Sequence, residues 1–399
     1  MFLKQQAAAQ AAQEAAQDNS GDGMPVGLGA PAPATLPDSD TLTLSYVTSY
    51  DPLAVCNDGT PAGYYFSPGA AGTAPGSTWL LYLQGGLWCY DEQSCLARAA
   101  ADDAQISSAS WGATMGANGI FATDATDNPF AGVNKVFIPY CSSDAWLGDV
   151  SAEQTKEAYG FPWAFRGLRI IAATLTALRA QYGLGTAGTE HRLLLGGCSA
   201  GARGAMYVAN SLAALPGVSM EVLLDSSLWI NVPPFDPSLP SLLEECQLAF
   251  ALFNASAVLP PACLAAYPQT PYYCLMGQYL MPFLTVPYFL SESQFDAFQL
   301  PYNLGGWPTL NSAGQMAYAD SFQVSMRTAL AALPTPAQAS TSGVYSLSCL
   351  RHCLTLGPGF WEVQTGGVSL AQELSAWWFQ GAPSRTIGAC MEYQRCVQC

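Results

Sequence analysis

A serine set between glycines is the clearest sign of chemistry in the sequence. Residues 197–201 are Gly-Cys-Ser-Ala-Gly, with an apolar run at 193–195 before them and small residues after them. A Gly-x-Ser-x-Gly turn between a strand and a helix is a nucleophile elbow, in which the strained serine projects from the turn. Glycines on both sides let the strand and the helix approach closely. The segment therefore predicts Ser199 as a nucleophile.

A serine hydroxyl is a weak nucleophile, so it needs a base within hydrogen-bond reach and a carboxylate that orients the base. The chain has two histidines, His191 and His352. His191 starts the predicted strand that leads to Ser199, and about 20 Å of strand separates it from the hydroxyl. We therefore interpret His191 as a surface residue. We predict that His352, which lies between Cys349 and Cys353, is the base.

Two aspartates are candidates for the acid. The order serine, acid, histidine is typical of α/β-hydrolases and places the acid between the other two residues. Asp225 ends a predicted strand at 221–224, after the elbow helix. Asp296 follows a strand-like segment at 286–290. Their positions along the chain leave both residues open.

Backbone donors are also needed, because acyl transfer places negative charge on the carbonyl oxygen of a tetrahedral intermediate. One donor in such sites is the residue after the nucleophile, here Ala200, and the other comes from a glycine-rich loop after an earlier strand. The segment Gly85-Gly86-Leu87-Trp88 follows an apolar run at 80–84. We predict Gly86 and Leu87 as the donors of this loop.

Hydrophobic periodicity indicates the elements that must position these residues. Short apolar or alternating runs bounded by Pro, Gly, Asn or Asp predict strands. Apolar residues at helical spacing predict a helix over 165–182, before the elbow strand, and another is expected at 370–379. This alternation implies an α/β fold, a mostly parallel sheet with helices on both faces. The early strands are predicted at 42–46, 63–66, 79–83 and 134–140.

The length and composition favour one large domain. The chain has 399 residues, of which 50% are hydrophobic. We expect a single domain over 41–399, preceded by a flexible arm at 1–40 that is rich first in Ala and Gln and then in Gly and Pro. The arm lacks the apolar core of a signal peptide, so no export signal is visible in the sequence.

The charge balance bears on possible partners. Charged residues make up 11% of the chain and the formal net charge is −16. This charge balance gives no indication of a nucleic-acid footprint or of an anionic membrane surface as a partner. The span 246–291 has no charged residue, but prolines interrupt it before about 18 apolar residues can form a membrane helix. We interpret the span as a buried or disulfide-tied cap, and the alternative is an apolar wall over the active site.

The cysteine count points to an oxidising compartment. Thirteen cysteines are too many for buried free thiols, so we expect disulfides and a protein of the secretory pathway. With only two histidines, no structural metal site is expected. The odd count leaves one thiol unpaired, and we predict Cys198, because a bridge there would disturb the elbow. The remaining candidates are Cys56, Cys89, Cys95, Cys141, Cys246, Cys263, Cys274, Cys349, Cys353, Cys390, Cys396 and Cys399.

Spacing suggests some of the pairs without fixing the connectivity. Cys89 with Cys95 and Cys246 with Cys263 are the close candidates. Longer bridges are expected from 349–353 and from the crowded tail at 390–399.

Six segments follow one another along the chain in a recognisable order. They are Leu-Gln-Gly-Gly-Leu-Trp-Cys at 83–89, Tyr-Cys-Ser-Ser-Asp-Ala-Trp-Leu-Gly-Asp at 140–149, Phe-Arg-Gly-Leu-Arg-Ile at 165–170, Gly-Cys-Ser-Ala-Gly at 197–201, Leu-Asp-Ser at 224–226 and Cys-Leu-Arg-His-Cys at 349–353. Together they resemble the pectin acetylesterase and Notum family of serine carboxylesterases. The resemblance covers about residues 41–399. This sequence departs from the family pattern at two positions. The family usually has Glu at the position of Gln84 and Gly at the position of Ala202.

The resemblance implies roles that spacing leaves open. In that family the acid lies in a Phe-Asp or Tyr-Asp segment after a Val-Pro-x-Phe strand, which selects Asp296 over Asp225. Asp225 then supports the pocket, and Trp88 is a further pocket or support residue. The implied fold is α/β-hydrolase-like with disulfide-tied cap or loop insertions.

The resemblance also implies an activity. We expect a secreted, monomeric esterase of the cell-wall type that removes O-acetyl groups from a polysaccharide such as pectin through an acyl-serine, with no metal or organic cofactor. One alternative is a deacylase that acts on longer acyl chains of a protein. Another is a non-catalytic carbohydrate-binding protein on the same scaffold.

Overall fold

The computed structural model describes residues 41–69, 77–101, 103–124, 126, 128–186, 190–307, 312–333 and 342–396. The predicted flexible arm at 1–40 lies outside these residues. The strands are β1 (Thr41–Tyr46), β2 (Gly63–Ser67), β3 (Thr78–Leu83), β4 (Thr114–Gly116), β5 (Asn134–Ile138), β6 (His191–Cys198), β7 (Val218–Asp225), β8 (Tyr288–Asp296), β9 (Gly343–Arg351), β10 (Gln364–Thr365), β11 (Val368–Ser369) and β12 (Arg385–Ile387).

Helices follow most of the central strands. They are α1 (Glu92–Ala101), α2 (Ala152–Tyr159), α3 (Gly167–Tyr182), α4 (Ala200–Leu212), α5 (Leu242–Leu252), α6 (Pro261–Ala266), α7 (Gly277–Leu280), α8 (Gln299–Leu304), α9 (Ala313–Ala332), α10 (Gly359–Glu362), α11 (Leu370–Gln380) and α12 (Tyr393–Cys396). Short 3-10 turns lie at Asp103–Gln105, Gly119–Phe121, Ala255–Ala257, Pro271–Leu275 and Met281–Phe283.

One large sheet has the strand order β12-β9-β8-β7-β6-β3-β5-β2-β1-β4. The strands from β12 to β5 are all parallel. The strands β2, β1 and β4 extend the sheet in antiparallel pairing. The predicted α/β fold with a mostly parallel sheet is therefore confirmed. Because parallel strands end at the same edge, the residues that follow β3, β6, β7, β8 and β9 meet there.

Each face of the sheet carries a hydrophobic core. Alternate residues of a strand point to opposite faces, so Leu81 of β3 lies in one core and Tyr82 in the other. The first core includes Met206 of α4 and Phe322 of α9. The second includes Trp378 of α11. Helices thus cover both faces, as the sequence pattern predicts.

Local sequence sets where several helices begin and end. Ser241 and Ser369 each accept a hydrogen bond from the third residue of the following helix, α5 or α11, and form capping boxes. Gly183 takes a φ of 75° after α3, a conformation that suits glycine at a helix end. The predicted helices at 165–182 and 370–379 differ from α3 and α11 by only one or two residues at an end.

His191 lies at the start of β6, eight residues before Ser199, but it is buried, so the interpretation as a surface residue is wrong. Its Nδ1 accepts a hydrogen bond from the Gly185 N–H at 2.7 Å. Its ring also meets the Trp79 indole edge-on at 6.4 Å between centroids. The loop after α3 and the Trp79 ring both contact this histidine, and neither contact leaves a mark in the strand pattern.

Disulfides tie several loops to the sheet. The described bridges are Cys56–Cys141, Cys89–Cys95, Cys198–Cys353, Cys263–Cys274 and Cys390–Cys396. Cys349 is also disulfide-bonded. The predicted short bridge between Cys89 and Cys95 is present. Cys399 lies outside the described residues.

Two predictions about cysteines are wrong. Cys198 is not the unpaired residue, because its side chain enters the second core, where the loop after β9 brings Cys353 to it. The free cysteine among the described residues is Cys246, which is buried in α5. The predicted Cys246–Cys263 pair is absent because Cys263 bonds to Cys274. Burial raises the pKa of the Cys246 thiol to about 12.

The tail also differs from its prediction. Cys390 pairs with Cys396, six residues away, so for these two cysteines the expected longer bridge is wrong and a short loop is closed. The long bridge expected from residues 349–353 is present at Cys353, which pairs with Cys198.

The uncharged span 246–291 folds into the end of α5, the helices α6 and α7, the 3-10 turns between them and the start of β8. The Cys263–Cys274 bridge ties α6 to the 3-10 turn at Pro271–Leu275, as expected for a disulfide-tied cap. Within the described ranges, every helix is too short or too polar to cross a lipid bilayer.

Candidate active site

Ser199 occupies the sharp turn between β6 and α4. Its backbone has φ 55° and ψ −121°, which is strained for a residue with a side chain. Its N–H donates to the Asp225 carbonyl at 2.8 Å, which fixes the turn against β7. The side chain is buried, and its Oγ has no hydrogen-bond partner among the described residues. The hydroxyl is thus presented without being consumed by a structural hydrogen bond.

Glycine is required beside this serine because the elbow packs against the end of β3. A Cβ on Gly201 would lie 1.9 Å from the Leu83 carbonyl oxygen, and one on Gly197 would lie 2.4 Å from the Gly201 carbonyl carbon. Real Cβ atoms do not approach other atoms so closely. The two glycines of the motif therefore have a steric cause, as the sequence predicted.

His352 and Asp296 form a buried pair. Asp296 is the last residue of β8, and His352 follows the end of β9. The Nδ1 atom of His352 lies 2.6 Å from Oδ2 of Asp296. The other carboxylate oxygen accepts the N–H groups of Phe298 at 3.0 Å and Gln299 at 2.6 Å. These bonds fix the carboxylate, and the carboxylate fixes the ring.

The tautomer of His352 follows from this pairing. A carboxylate accepts the proton of Nδ1, so the lone pair of a neutral ring lies on Nε2. That Nε2 atom is buried and has no hydrogen-bond partner among the described residues. It has the properties of a general base that awaits a proton from a reacting group.

Asp225 lies at the end of β7 and holds the histidine loop. Its Oδ2 accepts the N–H groups of Leu354 at 2.8 Å and Thr355 at 2.9 Å, and the Thr355 hydroxyl at 2.7 Å. Burial raises the pKa of Asp225, although these donors oppose the rise. Of the two aspartates, the structure places Asp296 against His352 and places Asp225 against the residues just after it.

The loop after β3 packs directly on the elbow. A Cβ on Gly85 would lie 2.6 Å from the Cys198 carbonyl oxygen and 3.2 Å from Cβ of Ser199. Gly86 has a φ of 139°, and Leu87 a φ of 60°. The N–H groups of Gly86 and Leu87 donate to no acceptor in the described part of the chain. Free donors beside the nucleophile are what an oxyanion hole requires.

One further backbone donor lies on the other side of the elbow serine. Ala200 is the first residue of α4, where a backbone N–H has no acceptor within its own helix.

Gln84, the departure from the family pattern, accepts the Tyr140 N–H at 2.8 Å through its side chain. Its backbone carbonyl accepts the Trp146 indole N–H at 3.0 Å. The amide of Gln84 therefore anchors the loop to the segment after β5.

Aromatic side chains and one arginine lie beside the site, and motif reasoning identified only Trp88 among them. The Arg203 guanidinium is 4.0 Å from the ring centre of Trp88 and 3.7 Å from that of Trp229. The Trp229 ring stacks on Phe298 at 5.1 Å, and Phe298 meets the His352 ring at 5.7 Å. No local motif marks Arg203 or Trp229. The one signal for Arg203 was a charged residue in a helix of small residues.

Glu292 is a further buried acid that sequence reasoning missed. It lies in β8, and its Oε2 accepts the Leu228 N–H at 2.7 Å. Burial and the nearby charges of Asp296 and Asp225 raise its pKa well above the ordinary value. The signal was present in the sequence, since a polar run at 291–294 breaks the apolar pattern of a buried strand.

One cluster has the residue types of a metal site. Three possible ligand atoms lie within 4.8 Å of one another, one each from Cys198, His352 and Cys353. Cys198 and Cys353 are bonded to each other, however, and metals bind the free thiolate. In the disulfide form this cluster therefore offers only the imidazole as a ligand.

The arrangement suits acyl transfer. Within the residues that the structure describes, it combines a serine on a strained turn, a carboxylate-bound histidine whose Nε2 has no partner, and backbone N–H groups of the adjacent loop that have no acceptor. These are the parts from which esterases and amidases build nucleophilic catalysis.

Comparison with known proteins agrees with this chemistry. Residues 37–399 match the family described as Pectinacetylesterase. The chain is 31% identical over 339 residues to palmitoleoyl-protein carboxylesterase notum1' of Xenopus laevis, covering 81% of this chain and 64% of that protein. It is 25% identical over 355 residues to pectin acetylesterase 11 of Arabidopsis thaliana, covering 84% and 86% of the two chains. The chain thus spans less than two thirds of the Notum relative's length.

A solved structure is also similar. The Wnt deacylase Notum from Drosophila superposes with a TM-score of 0.79 at 25% identity, covering 91% of this chain and 100% of that chain. The likeness agrees with the α/β-hydrolase-like fold predicted from the motifs.

Proposed function

The chain belongs to the pectinacetylesterase family of carboxylic ester hydrolases, and from this premise we propose that it cleaves an ester through an acyl-enzyme on Ser199. The observation that carries the proposal is the 2.6 Å bond between His352 Nδ1 and Asp296, together with an Nε2 atom that has no hydrogen-bond partner among the described residues. This bond gives the histidine the orientation that a general base requires.

Acylation begins when Oγ of Ser199 attacks the ester carbonyl carbon. His352 Nε2 takes the hydroxyl proton, and Asp296 stabilises the imidazolium that forms. The carbonyl oxygen becomes an oxyanion and accepts the N–H groups of Gly86, Leu87 and Ala200. The bond to the alcohol then breaks, and the alcohol leaves with the proton from Nε2.

Deacylation repeats these steps with water. His352 Nε2 takes a proton from the water, whose oxygen attacks the acyl carbon. The same backbone donors bind the second oxyanion. The bond to Ser199 breaks, Oγ recovers its proton from Nε2, and a carboxylic acid is released.

We propose O-acetyl groups of a polysaccharide as the substrate. The family description and the similarity of pectin acetylesterase 11 over most of both chains support this choice. The net charge of −16 would repel a strongly acidic polymer, so a less charged polysaccharide is the better match.

A longer acyl chain is the second candidate. Trp88, Trp229 and Phe298 place indole and phenyl rings beside the site, and an apolar wall suits a lipid chain. The Notum relatives are named palmitoleoyl-protein carboxylesterases. This candidate would act on an acylated protein.

A series of p-nitrophenyl esters separates the two candidates. The polysaccharide acetylesterase has its highest kcat/KM on the acetate and little activity on the octanoate. The opposite profile would reject it and favour the lipid candidate. A matched Ser199→Ala variant measures the background, and a variant that retains turnover would reject the acyl-serine mechanism altogether. Inactivity of the wild type on every ester would favour the non-catalytic alternative.

We also propose an oxidising, secretory location and a monomeric single domain over residues 41–399. The disulfides support the location, because such bridges persist outside the cytosol. Size-exclusion chromatography with light scattering tests whether the protein is a monomer. A variant that lacks residues 1–40 and keeps its activity supports the domain boundary.

A further inference from the structure

Arg203 is a fully buried cation with an unusual environment. It lies in α4, one turn after the nucleophile, and its side chain has no exposed surface. Within the described part of the chain it forms no ion pair with a carboxylate, and its Nε and Nη1 atoms have no hydrogen-bond acceptor. Only Nη2 donates, to the Leu275 carbonyl at 2.9 Å. A buried charge with so few polar partners is costly, so it requires a physical explanation.

Two indole rings lie against the Arg203 guanidinium. The Trp88 and Trp229 rings are nearly perpendicular, at 87°, with their centres 5.8 Å apart. The guanidinium carbon lies 4.0 Å from the first centre and 3.7 Å from the second. A cation against the negative face of an indole is attracted to it, and the attraction strengthens when water is absent. The guanidinium therefore holds two tryptophans that belong to different loops.

Trp88 is held at its edge as well as at its face. Its indole N–H donates to Oε2 of Glu245 at 3.0 Å, and Glu245 also accepts the Tyr302 hydroxyl. Glu245 lies in α5, just before the cap span 246–291, and Tyr302 lies in α8, shortly after Asp296. The ring thus has little freedom to move.

The position of Trp88 gives this contact its importance. Trp88 directly follows Leu87, one of the proposed oxyanion donors, so a backbone shift at Trp88 also moves that N–H. The second indole, Trp229, stacks on Phe298, which contacts the His352 ring. Arg203 is therefore at the centre of a continuous set of ring contacts from the oxyanion loop to the histidine.

We propose that Arg203 is a positioning residue, which clamps Trp88 and thereby holds the Leu87 and Gly86 donors where the oxyanion forms. The inference rests on the proposed acyl-serine mechanism. Its signature is a loss of transition-state binding without a matching loss of substrate binding, because the clamp acts on the oxyanion donors and not on the substrate itself.

The test compares Arg203→Met with Arg203→Lys in the full chain. Arg203→Met keeps the length and apolar contact of the side chain but removes the cation. We expect its kcat on p-nitrophenyl acetate to fall by about tenfold or more, with KM within about twofold of the wild type. Arg203→Lys, which retains a cation, recovers part of the loss.

A second readout reports on the donors themselves. An alkylboronic acid bonds to the serine hydroxyl and places a negative oxygen where the oxyanion would lie. Its inhibition constant should rise in Arg203→Met by about the same factor as kcat/KM falls. A merely structural arginine would lower the thermal midpoint and leave both the boronate affinity and the kcat of the folded fraction unchanged, which would overturn the proposal.

The chain offers a matched control. Arg192 also packs on an indole, with its guanidinium carbon 5.2 Å from the Trp378 ring centre, near the start of β6 at the far edge of the sheet. Arg192 is partly exposed and also pairs with Glu221 at 2.8 Å, so Arg192→Met removes a cation, an indole contact and an ion pair, and it should leave kcat and boronate binding unchanged. An equal loss in both variants would attribute the effect to general destabilisation and reject the clamp.

If Arg203→Met does not fold, Trp88→Leu removes the same contact from the loop side, and Trp88→Phe keeps an aromatic face. Higher kcat and tighter boronate binding in the phenylalanine variant support the clamp, and equal values in the two variants reject it.

Failure of the clamp and failure of the acyl-serine mechanism give different results. An inactive Ser199→Ala beside a fully active Arg203→Met rejects only the clamp, whereas turnover by Ser199→Ala rejects the mechanism itself.

Discussion

Cys198 and Cys353 are joined by a disulfide, so the residue before the elbow serine is covalently tied to the residue after the buried histidine. The two cysteines are 155 residues apart in sequence, and their Cα atoms lie 5.5 Å apart. The Cys353 N–H also donates to the Ser226 hydroxyl at 2.9 Å. The bridge thus fixes Ser199 relative to His352 at the point where β6 and β9 end.

Removal of this bridge should reduce activity and stability together. We expect the Cys198→Ala/Cys353→Ala variant to lose about 2–4 kcal/mol of unfolding free energy, because a long loop is released in the unfolded chain. We expect its kcat/KM to fall by about tenfold or more, since small shifts between reacting groups are costly. Urea unfolding and ester hydrolysis measure the two effects.

The Cys390–Cys396 bridge provides the comparison. It closes a short loop in the tail, six residues apart, so Cys390→Ala/Cys396→Ala should cost less stability and leave kcat/KM near the wild-type value. Equal activity in the two double variants would contradict a positioning role for the Cys198–Cys353 bridge.

The two buried aspartates should differ in their effects on catalysis. Asp296→Asn keeps the shape of the side chain but loses the charge and the preference for the correct tautomer, so kcat should fall by about 10³-fold or more. Asp225→Asn weakens hydrogen bonds to the histidine loop and should mainly lower the unfolding free energy, by about 1–3 kcal/mol. Kinetics and urea unfolding of both variants decide between the roles. A larger loss of kcat in Asp225→Asn would exchange them.

Buried acids should make the protein more stable in mild acid than at neutral pH. Burial raises the pKa of Asp144 to about 6, from an ordinary 3.8. A raised pKa means that the folded state binds the proton more tightly than the unfolded state. The unfolding free energy therefore increases as the pH falls through about 6 towards 3.8, and decreases as the pH rises. The acids whose pKa is raised in the same direction are Asp225, Glu245 and Glu292.

Urea unfolding at about pH 7 and about pH 5 tests this dependence. Each such group adds at most about 1.4 kcal/mol per pH unit within its window. Glu292→Gln keeps an acceptor for the Leu228 N–H without a titrating proton, so it should reduce the pH dependence. Glu157→Gln, at an exposed carboxylate of α2, serves as the control. A wild type less stable at the lower pH would contradict the prediction.

The second glycine of the elbow should not tolerate a methyl group. In Gly201→Ala the new Cβ would lie 1.9 Å from the Leu83 carbonyl oxygen, so the oxyanion loop and the elbow must separate. We expect loss of activity and destabilisation by about 1–3 kcal/mol or more. A Cβ on Gly132 would meet nothing within 4 Å, so Gly132→Ala should behave like the wild type. Full activity of Gly201→Ala, measured on p-nitrophenyl acetate, would mean that the elbow packs differently.

Much of the fold was predictable because its determinants are local. The glycines around Ser199, the apolar strands and the order of the motifs predicted the parallel sheet, and both the fold class and the family resemblance are confirmed. The acid was not predictable from spacing. Asp225 and Asp296 both end strands, so the family resemblance was needed to select Asp296, and the structure places Oδ2 of Asp296 2.6 Å from His352 Nδ1.

The remaining features depend on long-range packing. The Cys198–Cys353 bridge joins two loops that approach only after β6 and β9 enter the same sheet, so sequence spacing favoured the wrong unpaired cysteine. Arg203 becomes informative only once Trp88 and Trp229 both lie against its guanidinium. The burial of His191 likewise depends on a loop folding over the strand start.

Labelling with a p-nitrophenyl phosphonate tests the central claim most directly. Ser199 Oγ would form a bond to phosphorus, p-nitrophenolate would leave, and the adduct would persist because water attacks it slowly. Peptide mass mapping should find one adduct per chain, on the peptide that contains Ser199, and should find none in Ser199→Ala. An adduct on another residue, or equal labelling of the Ser199→Ala variant, would contradict the acyl-serine mechanism.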